Sequence, residues 1–134
     1  MNPSEETIDD LVAAAREVKE RAYAPYSRFR VGAAVLAGGQ VFAAPNIENA
    51  SFPLSVCAER NAVAAAVSAG HTTIEAVAVS TDAKRPTPPC GGCRQVLNEF
   101  GPEMLVVSDV AGGRAEWRLP ELLPSAFGPS DLLG

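Results

Sequence analysis

Patterns that would mark a membrane or secreted protein are missing from this sequence of 134 residues. No stretch approaches the roughly 20 consecutive apolar residues that a membrane-spanning helix requires. The N-terminal residues 1–10 are polar and acidic, whereas a secretion signal begins with basic residues and continues with apolar ones. We therefore expect a cytoplasmic protein that has no membrane partner.

Positive charge is also scarce. The sequence has 11 lysine and arginine residues against 16 aspartate and glutamate residues, which gives a formal net charge of -5 at pH 7. Proteins that bind nucleic acid rely on a basic surface to contact the phosphate backbone. The charge balance therefore predicts no nucleic-acid partner and favours a small or neutral ligand.

Cysteine is rare, since the sequence has 3 of these residues, and an odd number argues against a disulfide framework. In a cytoplasmic protein such cysteines more commonly bind metal or carry out redox chemistry. Hydrophobic residues make up 47% of the sequence and charged residues 20%, which is a globular composition. Linkers, repeats and low-complexity runs are absent, so we expect residues 1–134 to form a single domain.

Hydrophobic periodicity and turn residues predict helices alternating with strands. The helices are predicted at residues 7–23, 55–69 and 91–100, and the strands at 31–36, 40–44, 76–80, 104–108 and 115–118, with one short helical turn within 120–133. Thr7 and Asp10 form a predicted capping pair, and Gly38-Gly39 a hairpin turn. The order predicts an α/β fold, a three-layer α-β-α sandwich in which helices cover both faces of a mixed sheet of about five strands.

Two short cysteine motifs carry the chemistry: Cys57-Ala58-Glu59-Arg60 and Pro89-Cys90-Gly91-Gly92-Cys93-Arg94. A catalytic zinc ion takes three protein ligands and leaves its fourth position for water. Cys57, Cys90 and Cys93 offer three thiolates. Glu59 follows the first of them closely enough to reach the fourth position without binding the metal. The zinc deaminases have this recognised pattern of three ligands, a non-ligand glutamate and a Pro-Cys-x-x-Cys element.

Three thiolates on a dication leave a negative centre, and a nearby cation should compensate for it. Arg60 is our candidate, through hydrogen bonds to the cysteine sulfurs. Alternatives remain open at this point, because a Cys-x-x-Cys pair alone fits a structural zinc site, a redox pair or a catalytic site. A noncatalytic zinc-stabilised interaction module would have no use for Glu59. The single histidine, His71, is expected to cap a helix end at the surface.

The sequence resembles the small homotetrameric cytidine deaminases. The resemblance rests on the two cysteine motifs and on three further blocks in family order: Tyr26-Ser27-Arg28-Phe29-Arg30-Val31-Gly32-Ala33-Ala34, Asn46-Ile47-Glu48-Asn49-Ala50 and Leu122-Leu123-Pro124-Ser125-Ala126-Phe127-Gly128. Together these blocks span about four-fifths of the chain. One departure is Ala44-Pro45, where family members usually carry a glycine-containing pair, because proline removes a backbone donor there.

This resemblance implies hydrolytic deamination of cytidine and 2'-deoxycytidine to uridine and 2'-deoxyuridine, with release of ammonia, as a step of pyrimidine salvage. It implies one Zn2+ per chain held by Cys57, Cys90 and Cys93, with Glu59 as the proton shuttle. It puts Asn46 and Glu48 on the ribose hydroxyls, Phe29 against the pyrimidine ring, and Phe127 in the site of a neighbouring subunit of a homotetramer. A deaminase of another cytosine-containing small molecule, such as a nucleoside antibiotic, is the alternative hypothesis.

Overall fold

The computed structural model describes residues 2–134, which form a sheet flanked by helices. The longer helices are α1 (Glu5–Lys19), α2 (Ala58–Ser68) and α3 (Gly91–Phe100). The strands are β1 (Val31–Ala37), β2 (Gln40–Pro45), β3 (Ala76–Thr81), β4 (Leu105–Val110) and β5 (Gly113–Arg118). A 3-10 turn covers Phe52–Leu54, and two short helices, α4 (Leu119–Leu122) and α5 (Pro129–Leu133), follow β5. Within residues 2–134, none of the helices has the length and apolar character that a membrane crossing needs.

The strands form one mixed sheet in the order β2-β1-β3-β4-β5. β1 and β2 form an antiparallel hairpin around Gly38 and Gly39, whose φ angles of 59° and 75° lie in the left-handed region that glycine adopts easily. β1 also pairs antiparallel with β3, and β5 with β4. β3 and β4 are parallel, so the chain must cross over between them, and α3 makes that crossover.

Apolar side chains alternate between the two faces of the central strands, and helices cover each face. One face packs against α1, where Ala34, Leu36, Ala76, Ala78, Leu105 and Val107 meet Ile8, Leu11, Val12 and Ala15. The other face packs against α2 and α3, where Ala33, Val35, Val77, Val79 and Val106 meet Ala62, Ala66 and Leu97. The predicted three-layer α-β-α sandwich is therefore confirmed.

The limits of α1 differ from those predicted. The capping pair of Thr7 and Asp10 is wrong, because Ser4 caps the helix and its hydroxyl oxygen accepts a hydrogen bond from the Thr7 backbone N–H at 3.1 Å. The helix ends at Lys19 and does not continue to Tyr23. The reason is that the Tyr23 N–H donates to the Asn46 carbonyl at 3.0 Å and so leaves the helical path.

The start of α2 also differs, and the difference concerns a cysteine. The helix begins at Ala58 and not at residue 55, because the 3-10 turn Phe52–Leu54 precedes it and Val56 pairs with Ile47 in a short bridge. Cys57 is consequently the residue that caps α2. After β5 the chain forms two short helices where one helical turn was predicted.

Candidate active site

The three cysteines meet where α2 and α3 begin, on one face of the sheet. Cys57 caps α2, Cys90 caps α3, and Cys93 lies in the first turn of α3. Their sulfur atoms all lie within 4.8 Å of one another. Unpaired N–H groups and the positive end of the helix dipole favour anions at a helix N-terminus. Of the paired thiols Cys57 and Cys93, Cys57 is the one that ionises more readily, because its hydrogen bond with Cys93 lowers the pKa of Cys57 and raises that of Cys93.

This group of sulfur atoms fits a zinc ion. Zinc binds thiolates at about 2.3 Å in tetrahedral geometry, so its sulfur ligands lie as close together as these atoms do. Within residues 2–134, no histidine, aspartate or glutamate joins the group as a fourth ligand. His71 lies elsewhere, after the end of α2, and its ring centre is 5.4 Å from that of Phe42. Three protein ligands without a fourth are typical of a catalytic zinc site.

Glu59 lies in the first turn of α2, beside these thiols, and is 6% exposed. Burial raises the pKa of its carboxyl group, and the nearby negative charge of Cys57 raises it further. A carboxyl group whose pKa is shifted towards neutral can both accept and donate a proton near pH 7. Glu59 also lines the same cavity as Cys57 and Cys90, so this residue borders the space beside the thiols.

Arg60 follows Glu59 and interacts with Cys93. A hydrogen bond to the Cys93 sulfur, together with the charge of that group, raises the pKa of the Arg60 guanidinium. The thiols are affected as well: a hydrogen bond from Cys93 lowers the pKa of the Cys57 thiol to about 6, and the positive charge of Arg60 contributes to this. Arg60 therefore lies where it can offset negative charge on the cysteine sulfurs.

Gly92 is a site residue that was not predicted from the sequence. A Cβ atom at this position would lie 2.6 Å from Nη2 of Arg60, which is closer than unbonded atoms approach. A Cβ atom at the neighbouring Gly91 would meet nothing within 4 Å. Glycine at position 92 therefore leaves the space that the guanidinium occupies. The glycine pair between the two cysteines was the available signal, although it does not say which glycine matters.

A cavity of about 370 Å³ opens beside the cysteines. Its wall is mostly apolar and carries a few polar groups, as small-molecule sites usually do. The predicted substrate-binding residues Phe29, Asn46 and Glu48 line this cavity together with Cys57, Glu59 and Cys90. Residues from four separate stretches of the chain therefore converge on one space.

Glu48 is held by the loop before β1, and Ser27 in that loop is a second site residue that was not predicted. Oε1 of Glu48 accepts hydrogen bonds from the backbone N–H groups of Tyr26 at 3.0 Å and Ser27 at 3.1 Å. Oε2 accepts a hydrogen bond from the Ser27 hydroxyl. These bonds, with that of the hydroxyl as the largest, hold the pKa of the Glu48 carboxyl below its ordinary value. Glu48 is therefore an ionised acceptor at the cavity.

Asn46 uses both ends of its side-chain amide to fix the same loop. Its Oδ1 accepts from the Val31 N–H at 2.9 Å, and its Nδ2 donates to the Phe29 carbonyl at 3.0 Å. Pro45 does not disturb this arrangement, because it is the last residue of an edge strand, where a missing N–H is tolerated. Its carbonyl accepts a hydrogen bond from Asn61 Nδ2 at 2.9 Å. The Ala44-Pro45 pair therefore leaves the path of the loop well defined.

Phe127 does not line the cavity of its own chain and is 57% exposed. Its backbone carbonyl accepts hydrogen bonds from Gln95 Nε2 at 2.7 Å and Asn98 Nδ2 at 3.3 Å. Arg94, on the same helix, donates to the Leu122 carbonyl at 2.8 Å. Two of the cysteines lie in the first turn and at the cap of α3, and the same helix also holds the segment that contains Phe127.

Comparison with known proteins identifies the family. A family model described as the cytidine and deoxycytidylate deaminase zinc-binding region matches residues 5–109. The chain belongs to this family. The match includes the three cysteines and Glu59, and the gathered thiols fit the one zinc ion per chain that a zinc-binding deaminase region requires. The predicted membership of the cytidine deaminase family is thereby confirmed.

Named relatives of this family resemble most of the chain. A cytidine deaminase of Halalkalibacterium halodurans is 46% identical over 125 residues, which cover 91% of this chain and 95% of the relative. Among solved structures, the cytidine deaminase from Burkholderia pseudomallei gives a TM-score of 0.85 at 42% identity, covering 93% of this chain and 100% of the other. The cytidine deaminase from Mycobacterium tuberculosis gives 0.79 at 38% identity, covering 94% and 99%. The α/β fold of this chain is therefore that of the family.

Proposed function

We propose that this protein catalyses the hydrolytic deamination of cytidine and 2'-deoxycytidine to uridine and 2'-deoxyuridine, with release of ammonia. The observation that carries the proposal is the gathering of three thiols within 4.8 Å beside a cavity that a buried glutamate also lines. The relatives named cytidine deaminase support the substrate class. Such a reaction belongs to pyrimidine salvage.

Cys57, Cys90 and Cys93 hold the zinc ion in this proposal. When bound, zinc lowers the pKa of a water molecule towards 7 and so supplies a nucleophile for the ring carbon that carries the amino group. Arg60 offsets the negative charge of the three thiolates through its hydrogen bond to Cys93. Without that compensation the thiolates would weaken the effect of the metal on the water.

Glu59 carries every proton transfer. It takes a proton from the attacking water and delivers it to the adjacent ring nitrogen as the carbon–oxygen bond forms. It then takes the proton of the new hydroxyl group and delivers it to the amino group, which leaves as ammonia when the carbon–nitrogen bond breaks. The raised pKa of the buried Glu59 carboxyl suits this alternation, because the group must be a base in one step and an acid in the next.

The remaining cavity residues orient the nucleoside. The aromatic face of Phe29 suits a flat pyrimidine ring. Glu48 is ionised and accepts hydrogen bonds from sugar hydroxyls. Asn46 also binds the sugar, because its loop contacts use only one lone pair of Oδ1 and one N–H of Nδ2 and leave a second of each for a hydroxyl group. This arrangement favours a substrate that combines a cytosine base with a hydroxylated sugar.

The first test is the absorbance change of cytidine mixed with the purified protein, together with metal analysis of the same sample. We expect conversion to uridine, about one zinc ion per chain, and loss of activity in the presence of a chelator. A zinc-loaded protein that leaves cytidine untouched would overturn the proposed substrate. In that case other cytosine-containing small molecules, such as nucleoside antibiotics, would be assayed next.

A Gly92→Ala substitution tests the role of Arg60 without changing Arg60 itself. The added Cβ meets only the flexible end of the arginine side chain, so the variant should fold. The guanidinium, however, must move away from Gly92, and this movement should disturb its interaction with Cys93. Since groups that support metal ligands are typically worth 10- to 100-fold in metal affinity or activity, we expect a loss of at least about tenfold in both. Chelator competition and kcat measurements provide the two readings.

Gly91→Ala is the matched control, because a Cβ atom there meets nothing within 4 Å. It makes the same chemical change in the same helical turn and should retain the zinc affinity and turnover of the unchanged protein. Equal zinc affinities for the two alanine variants would contradict the assignment of Arg60.

We further propose that the protein is a cytoplasmic homotetramer in which Phe127 completes the site of a neighbouring subunit. Free thiolates persist in a reducing compartment, which supports the location. Large apolar side chains exposed around the loops beside the cavity support the assembly: Tyr23, Tyr26, Ile47, Phe52 and Leu54 are each 49–70% exposed. Exposed apolar patches of this kind are typical of subunit interfaces.

Combining two impaired variants in one tetramer tests whether subunits share their sites. Homotetramers of Phe127→Ala and of Glu59→Ala should each be impaired. In mixed tetramers, a chain with Glu59 receives Phe127 from its neighbour, so co-expression should recover part of the activity. Activity no greater than the sum of the separate variants would argue against a shared site.

A further inference from the structure

The hydroxyl group of Ser27 connects two parts of the cavity. It donates a hydrogen bond to Oε2 of Glu48 and accepts one from the backbone N–H of Phe29 at 3.0 Å. Phe29 and Glu48 both line the cavity and are 19 residues apart in the sequence. The single oxygen atom of the Ser27 side chain nevertheless contacts both residues. Ser27 itself lines the cavity.

The hydrogen bonds from the loop leave few acceptor positions free on the Glu48 carboxylate. Each carboxylate oxygen offers about two acceptor positions. Both positions on Oε1 are used by the backbone N–H groups of Tyr26 and Ser27. On Oε2 the Ser27 hydroxyl uses one position, which leaves one for another donor. The loop therefore fixes the carboxylate plane and leaves a single direction from which a sugar hydroxyl can donate.

Two hydrogen bonds fix the direction of the Ser27 hydroxyl. Its oxygen accepts from the Phe29 N–H, and its hydrogen points to Glu48. The intervening residue, Arg28, has a φ angle of 60°, in the left-handed region, which makes the turn tight enough for Ser27 to reach the Phe29 N–H. The Phe29 carbonyl has its own support from Asn46.

We propose that Ser27 is a positioning residue that aims the Glu48 carboxylate at the sugar and thereby sets the preference for a hydroxylated sugar. This inference rests on the proposed function and deepens it. Removing the hydroxyl frees Oε2 to rotate away from the cavity. Phe29 is less affected because its carbonyl remains bonded to Asn46.

The test compares Ser27→Ala and Ser27→Thr on two substrates, cytidine and 2',3'-dideoxycytidine, which lacks both ring hydroxyls. For Ser27→Ala we expect kcat/KM on cytidine to fall by about tenfold, mainly through KM, because a hydrogen bond to a charged group is lost. On the dideoxynucleoside the fall should be about twofold or less, measured as turnover or, if turnover is too slow, as inhibition of cytidine deamination. Ser27→Thr keeps the hydroxyl and should recover most of the cytidine value.

Ser51→Ala is the matched control, since Ser51 lies in the same region and its side chain caps no helix. A double variant with Glu48→Gln adds a second reading: once Glu48 is changed, Ser27→Ala should cost little more. An equal loss on both substrates, a loss confined to kcat, or additive effects with Glu48→Gln would each overturn the inference. If the unchanged protein does not deaminate cytidine, the proposed function itself fails, which is a separate outcome.

Discussion

The Glu59→Gln variant is expected to keep its zinc and its fold and to lose nearly all turnover. Glutamine has the shape of glutamate and can fill the same buried position, but it cannot accept and release protons. General acid-base catalysis is typically worth 10²- to 10⁴-fold in rate. Because one carboxylate carries all the proton transfers here, we expect a loss at or above the upper end of that range. The variant is measured by its kcat for cytidine and by its zinc content.

Glu99→Gln is the matched control, because it is the same substitution at an exposed position of α3. It should retain the activity and the zinc content of the unchanged protein. Substantial turnover by zinc-loaded Glu59→Gln would show that another group moves the protons. Loss of zinc from that variant would show that Glu59 contributes to the metal site directly.

The central part of the fold could be predicted because its signals are local. Glycines at positions 38 and 39 specify a hairpin wherever they separate two apolar runs. Hydrophobic periodicity and turn residues predict helices at residues 55–69 and 91–100, so both cysteine motifs fall near predicted helix starts, and the structure has both there. Local signals fail when two of them compete. Serine is a somewhat better cap than threonine, which favours Ser4, whereas Asp10 lies three residues after Thr7 and favours Thr7; the folded chain uses Ser4.

The supporting contacts of the site could not be predicted because they join distant parts of the chain. The Ser27 hydroxyl meets Glu48 across 21 residues of sequence. The space above Gly92 is needed only because the Arg60 side chain happens to lie there. Motifs name the residues that perform the chemistry, whereas the residues that hold them in position are chosen by the packing of loops and helix ends.

The C-terminal segment shows the same limit. Its apolar, proline-containing sequence predicts little regular structure, and it forms two short helices. Their placement depends on Arg94, Gln95 and Asn98, which bind backbone carbonyls of this segment. These polar residues of α3 have no pattern that identifies such partners. The position of Phe127 thus follows from contacts that only the folded chain reveals.

The Cys90→Ser variant is expected to lose zinc and stability together. Serine is a favoured helix cap, so the start of α3 should tolerate the change and the measured loss should reflect the metal. A ligand present at 1,000 times its dissociation constant stabilises a protein by about 4 kcal/mol. The variant would lack this stabilisation, so we expect its melting temperature to be lower by about 10 °C or more.

The decisive comparison is with the unchanged protein treated with a chelator. The two should melt at about the same temperature, because binding of the metal is coupled to folding. A Cys90→Ser protein that keeps stoichiometric zinc and the full melting temperature would show that Cys90 is not a ligand.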